Sequence, residues 1–202
     1  MKSPYDITVQ GVGYLGEGKY KSREHGIQTK CYLVWSSMLK RCYNKKRQEK
    51  YPTYKGCKVC DEWLNFQNFA EWFYKNYYEI PGEQMHLDKD ILIKGNKIYS
   101  PETCVFVPER INSLFTKTNK NRGKEPIGVF HREKDNKYEV YCCKSDGKGS
   151  KYLGRFNDRE YAFQIYKQFK ETIIKQVADK YKEYIPKNVY DAMHEYEVQI
   201  TD

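Results

Sequence analysis

A chain of 202 residues with a formal charge of +9 has room for one or two small domains and enough apolar residues to bury a modest core. No stretch approaches the roughly 18 consecutive apolar residues that span a bilayer, and the N-terminus carries no apolar signal segment. A cytoplasmic protein with no membrane partner is therefore expected. Seven cysteines, an odd number without an export signal, point to free thiols rather than to a disulfide framework.

The charge is segregated. Lys and Arg outnumber Asp and Glu by 11 to 4 over residues 1–50 and by 11 to 5 over 117–156, whereas acidic residues lead by 9 to 7 over both 51–116 and 157–202. Two basic blocks around an acidic-leaning centre suit surfaces that meet phosphate and a central site that holds a cation. The same balance also suits a basic protein whose lysines are merely solvated. Twenty tyrosines among the basic residues offer rings for stacking on bases and packing along sugars.

In chain order, residues 1–29 read as an irregular, Gly-rich basic arm. Its G-V-G-Y-L-G-E-G run from Gly11 to Gly18 lacks the strand-to-helix context and the Lys-Ser/Thr ending of a phosphate loop. Lys19, Lys21 and Arg23 suggest an arm lying along a DNA groove. From Lys30 the period becomes helical, with Cys31, Trp35, Met38, Leu39 and Cys42 on one face and an end near Tyr43-Asn44. Arg41, Lys45, Lys46 and Arg47 on the other face and at the exit are expected to contact DNA backbone. Cys57 and Cys60 form a C-x-x-C with no second pair, so structural Zn2+ is not expected. Trp63, Phe66, Phe69, Ala70, Trp72 and Phe73 predict a second helix with Asn65 as N-cap.

Next comes the stretch 84–112. His86, Asp88 and Asp90 alternate with their neighbours, so on a strand all three would project from one face about 6–7 Å apart. A turn at Gly95-Asn96 would return the chain into a second strand, Cys104-Val105-Phe106-Val107. Pro108 can then open a helix that carries Asn112. Residues 117–125 read as a basic linker. Strand-like runs follow at 127–130, 137–142 and 150–156, and Asp158 caps a helix built on Tyr161, Ala162, Ile165, Tyr166, Phe169, Ile173 and Val177. Beyond Pro186, Val189, Met193, Tyr196 and Ile200 are placed to pack back as a short helix and tail. The fold class is α+β, with a helical and strand-turn-strand-helix region over 30–116 and a three-stranded antiparallel sheet backed by one helix within 126–202.

The order strand, turn, strand, helix, with Asp88 on the first strand and Asn112 on the helix, resembles the ββα-metal core of HNH nucleases, especially the phage-encoded homing-endonuclease type. That resemblance implies a divalent ion, Mg2+ or Mn2+, held by Asp88 and Asn112, and hydrolysis or nicking of double-stranded DNA. It places Lys89 where the family has its general-base His, so His86, Lys89 and Asp90 are the candidates for handling the attacking water. The asparagine that ties down the family's loop corresponds to Thr103 or to Asn96, according to the loop register. Arg110 is close enough in sequence to hold a phosphate.

The run I-G-V-F…K-Y-E-V…K-Y-L-G-R-F-N-D-R-E-Y-A-F is similar to DNA-binding modules of the APETALA2 type. Such a module lays its sheet into the major groove. The resemblance implies contacts from His131, Arg132, Tyr138, Lys144, Lys148, Lys151 and Arg155, with Arg132 and Arg155 suited to bidentate guanine readout. An alternative function keeps the nuclease fold as a DNA-binding scaffold that regulates or interferes without cutting.

Overall fold

The computed structural model describes residues 3–116 and 124–200. It is α+β and divides into two compact units, Met1–Val107 and Pro108–Asp202. Residues 117–123, most of the expected linker, lie outside the described residues. Among the described residues no helix is long and apolar enough to cross a membrane.

The first unit contains β1 (Arg23–Glu24), β2 (Ile27–Gln28), α1 (Lys30–Tyr43), α2 (Lys45–Lys50), β3 (Lys58–Val59), α3 (Phe66–Asn76), β4 (Met85–Asp88), β5 (Ile98–Tyr99) and β6 (Val105–Pro108). Helix α1 starts where Thr29 accepts the Tyr32 N–H on its side chain, and α3 where Asn65 Oδ1 accepts that of Gln67 at 2.9 Å, so both begin with a side-chain cap. The stripe Cys31, Trp35, Met38, Leu39 and Cys42 is buried as its spacing predicts, as are Phe66, Phe69, Ala70 and Phe73. The two stripes meet around Trp63, whose backbone carbonyl accepts a 2.7 Å hydrogen bond from Trp35 Nε1 inside the core. Burying each of these large side chains contributes about 1.5–3 kcal/mol.

The Gly-rich arm is built into this unit. Val9, Val12, Leu15 and Tyr20 pack on the core, and Tyr14 and Asn65 form a bridge. Gly13 explains part of the glycine content, because a methyl group there would strike Leu39 and Trp35.

Between β4 and β6, which are hydrogen-bonded neighbours, the chain does not form a simple hairpin. It detours through β5, which runs parallel to β3 with Lys58 opposite Ile98 and Val59 opposite Tyr99. The detour buries Tyr99 to 2% exposure and ties the stretch after β4 to the rest of the unit.

The second unit opens with α4 (Glu109–Phe115) and continues through β7 (Val129–Arg132), β8 (Lys137–Cys143), β9 (Ser150–Phe156), α5 (Arg159–Tyr181) and α6 (Lys187–Glu195). The three strands form one antiparallel sheet in sequence order, with a bulge at Val140/Tyr141. Val129, Val140 and Cys142 face Ala162, Phe163 and Tyr166 of α5, which Asp158 caps through the Tyr161 N–H at 2.6 Å. In the final segment Val189, Met193 and Val198 are buried, whereas Ile200 is exposed.

Candidate functional site

The candidate centre of the first unit is the loop that leaves β4. Asp88, the last residue of that strand, is 8% exposed, and its Oδ1 accepts the backbone N–H groups of Asp90 and Ile91, both at 2.8 Å. This aspartate turn bends the chain out of the strand. The predicted alternation therefore ends at Asp88: His86 and Asp88 sit two apart on β4, while Asp90 belongs to the loop. Burial, and then the charge of Asp90, push the Asp88 carboxyl up to about 6, against the pull of the two N–H donors.

Lys89 is 6% exposed. Its Nζ donates to Asp90 Oδ2 at 3.0 Å and to the Asn96 carbonyl at 2.9 Å. Asn96 then closes the loop with its own side chain. Nδ2 donates to the carbonyls of Lys89 (2.6 Å) and Ile98 (2.7 Å), and Oδ1 accepts the Ile98 N–H at 3.0 Å. Thr103 plays a smaller part, donating from Oγ1 to the Ile98 carbonyl at 2.8 Å.

Arg41 turns inward from α1, half-buried, with Nη1 3.5 Å from the Leu87 carbonyl and its guanidinium 5.8 Å from the Tyr54 ring. The rest of the predicted basic cluster lies on α2. Lys45 and Lys46 are exposed, and Arg47 covers the Tyr51 ring at 4.1 Å. Asn112 stands half-buried on α4 in the second unit, where its carbonyl accepts a hydrogen bond from Thr116 Oγ1 at 3.0 Å.

Among the described residues no three His, Cys, Asp or Glu side chains gather to hold a metal by themselves. The adjacent carboxylates of Asp88 and Asp90 are hard oxygen donors. Such a set suits Mg2+ or Mn2+, which takes one or two carboxylates and completes its shell with water and substrate phosphate. The cysteines offer different chemistry: Cys57 donates from Sγ to the Thr53 carbonyl at 3.8 Å, and burial pushes the Cys60 thiol up to about 11.

In the second unit, strand alternation sorts the predicted DNA contacts by face. Phe130, Arg132, Glu139, Tyr141, Tyr152 and Arg155 share the face turned away from α5. Phe130, Tyr141 and Tyr152 form a row with ring centroids 5.8 and 5.2 Å apart. Beside that row, Glu139 Oε1 accepts from Arg132 Nη1 at 3.1 Å and from Arg155 Nη2 at 2.8 Å, and Arg155 Nη1 also donates to Asp135 at 3.0 Å. The carboxylates of Glu139 and Asp135 thus neutralise both arginines. Sequence reasoning passed over this pair, although Glu139 stands directly opposite Arg155 across the β8–β9 ladder.

His131 and Tyr138 pair across the ladder with rings 5.1 Å apart, and Tyr138 packs on the helix-side core. Lys151 reaches over the Phe169 ring of α5 at 5.2 Å. Lys144 and Lys148 are exposed in the β8–β9 turn. Arg110 donates from Nε to the Ser145 carbonyl (3.0 Å) and from Nη2 to that of Lys144 (2.9 Å), so it braces that same turn. Comparison with family models, curated proteins and solved structures finds no match to this chain.

Proposed function

We propose that this chain is a DNA-binding, HNH-type endonuclease that hydrolyses phosphodiesters with Mg2+ or Mn2+. The observation that carries the reading is the stapled loop after β4. A buried Asp88 sits at its start, and Asn96 fastens its two limbs through three hydrogen bonds. A loop fixed in this way holds a carboxylate in one place for a cation, as positional catalysis demands. In this reading Asp88 holds the ion, whose chemistry when bound is to stabilise negative charge on the phosphoryl oxygens and the leaving oxygen. His86, two residues before Asp88, takes the proton from the attacking water. Lys45 and Lys46 hold backbone phosphate, and the second unit supplies affinity through the open sheet face and the Lys144 and Lys148 turn.

A second reading, DNA binding without cleavage, draws on Lys89. That side chain occupies the slot of the family's base, yet its Nζ is committed as a donor to Asp90 and Asn96. Supercoiled plasmid incubated with Mg2+ or Mn2+ separates the two. Nicking by the wild type that is lost in Asp88→Ala supports the endonuclease. Metal-dependent nicking undiminished in Asp88→Ala overturns the assignment, and DNA binding without nicking favours the second reading.

A further inference from the structure

The second unit holds a cation that nothing in the proposed DNA chemistry uses. Lys170 lies in the middle of α5, on its buried side among Tyr166, Ile173 and Ile174, and is 8% exposed. An ammonium at such a place costs several kcal/mol unless an anion faces it. What it meets is sulfur: Nζ donates to Cys143 Sγ, 3.6 Å away at the end of β8. A second cation stands near, because the Arg110 guanidinium is fixed on the carbonyls of Lys144 and Ser145, the two residues that follow Cys143.

We propose that Cys143 is held as a thiolate by Lys170 and is the peroxide-reactive thiol of this protein. The step balances without any further reagent. The thiolate lone pair attacks one oxygen of hydrogen peroxide, an S–O bond forms as the O–O bond breaks, and the other oxygen leaves as hydroxide, which the buffer protonates to water. Sulfur is oxidised by two electrons to the sulfenic acid, and the peroxide is reduced by the same two, one to each of its oxygens.

The protein supplies its own contrast. Cys143 and Cys60 are both half-buried, while the other five cysteines are buried. The hydrogen bond with Cys142, opposed by burial and aided by the Lys170 charge, holds the Cys143 thiol below its usual range. Cys60, beside the carboxylates of Glu62 and Glu102, is pushed up to about 11, chiefly by burial. A thiolate and not a thiol is the nucleophile, so the two should differ widely in rate. None of this depends on the nuclease reading.

The experiment uses the full-length, pre-reduced chain, hydrogen peroxide with dimedone as trap, and peptide mass spectrometry. Cys143 should label at least about tenfold faster than Cys60 at pH 7, since an ordinary thiol is only a few per cent ionised there. The Cys143 rate should stay nearly flat between pH 6 and 8, and Lys170→Met should lower it about tenfold at pH 7 while closing the gap near pH 9.5. Should Lys170→Met fail to fold by circular dichroism, the wild-type pH profile and Lys170→Arg, which keeps the charge and the fast rate, decide the matter. A Cys143 rate that climbs about tenfold per pH unit through neutrality, or one no faster than that of Cys60, overturns the proposal.

Discussion

Asn96→Ala is the sharpest test of the stapled loop. The substitution removes three hydrogen bonds, two from Nδ2 to the Lys89 and Ile98 carbonyls and one from the Ile98 N–H to Oδ1. At about 1 kcal/mol net per bond the ceiling is about 3 kcal/mol. Asn96 is half-buried, so water can replace part of what is lost, and about 1.5–2.5 kcal/mol remains. Urea unfolding should show the first transition moving to lower denaturant at unchanged slope. Hydrogen exchange should show the amides between Lys89 and Ile98 losing protection beyond the global change, because the staple acts on that loop. Metal-dependent nicking, where present, should fall with them. Unaltered unfolding together with unaltered exchange in the loop would refute the claim that Asn96 holds it.

Glu139→Gln removes the carboxylate that neutralises Arg132 and Arg155. If the open sheet face meets phosphate, DNA affinity should rise about 3- to 10-fold, with a salt dependence steeper by up to about one ion; filter binding across a salt series that finds no change would rule that face out. Glu71 makes the docking of the N-terminal arm sensitive to acid. The Tyr20 hydroxyl, 2.6 Å away, and then Lys75 hold its carboxyl down to about 2, below the unfolded value, so this contribution is complete above about pH 4.5 and is lost as pH falls towards 2. Proteolysis within the arm should accelerate across that window in the wild type, and the acid dependence should vanish in Glu71→Gln. Gly13→Ala forces a methyl group against Leu39 and Trp35 and should cost about 1–3 kcal/mol in urea unfolding; an unchanged midpoint would show that the arm does not pack there.

The elements that were legible in the sequence are those with a local cause. Helical spacing marks α1, α3 and α5, with Asn65 and Asp158 read as caps of the last two, and all three begin where Thr29, Asn65 and Asp158 offer an oxygen to an N–H. The three strands of the second unit stand between turns, and β8 alternates Tyr138, Val140 and Cys142 towards the helix. The features that escaped are set by partners distant in sequence. The two-residue β5 has no pattern of its own and exists because β3 lies beside it. Asp88 reads as one member of an alternating run until its side chain takes the Asp90 and Ile91 N–H groups and ends the strand. Lys170 occupies a position that the α5 period reserves for an apolar residue, four after Tyr166, and only its neighbour on β8 explains it. The arm looked like a basic tail because glycine frequency says nothing about which side chains press against a missing Cβ.

Lys89 is where these local and distant effects decide the chemistry of the loop. A protonated lysine offers three donors and no lone pair, and two of those donors are spent on Asp90 and on the Asn96 carbonyl. To accept a proton from water this nitrogen would first have to lose a proton and with it the charge that compensates Asp90 next to Asp88. That change adds negative charge beside a carboxyl already disfavoured as an anion by burial. The position that resembles the family's base is therefore a brace for the loop, and any hydrolysis must draw its base from elsewhere. In the proposed endonuclease reading that base is His86, the imidazole that shares β4 with Asp88.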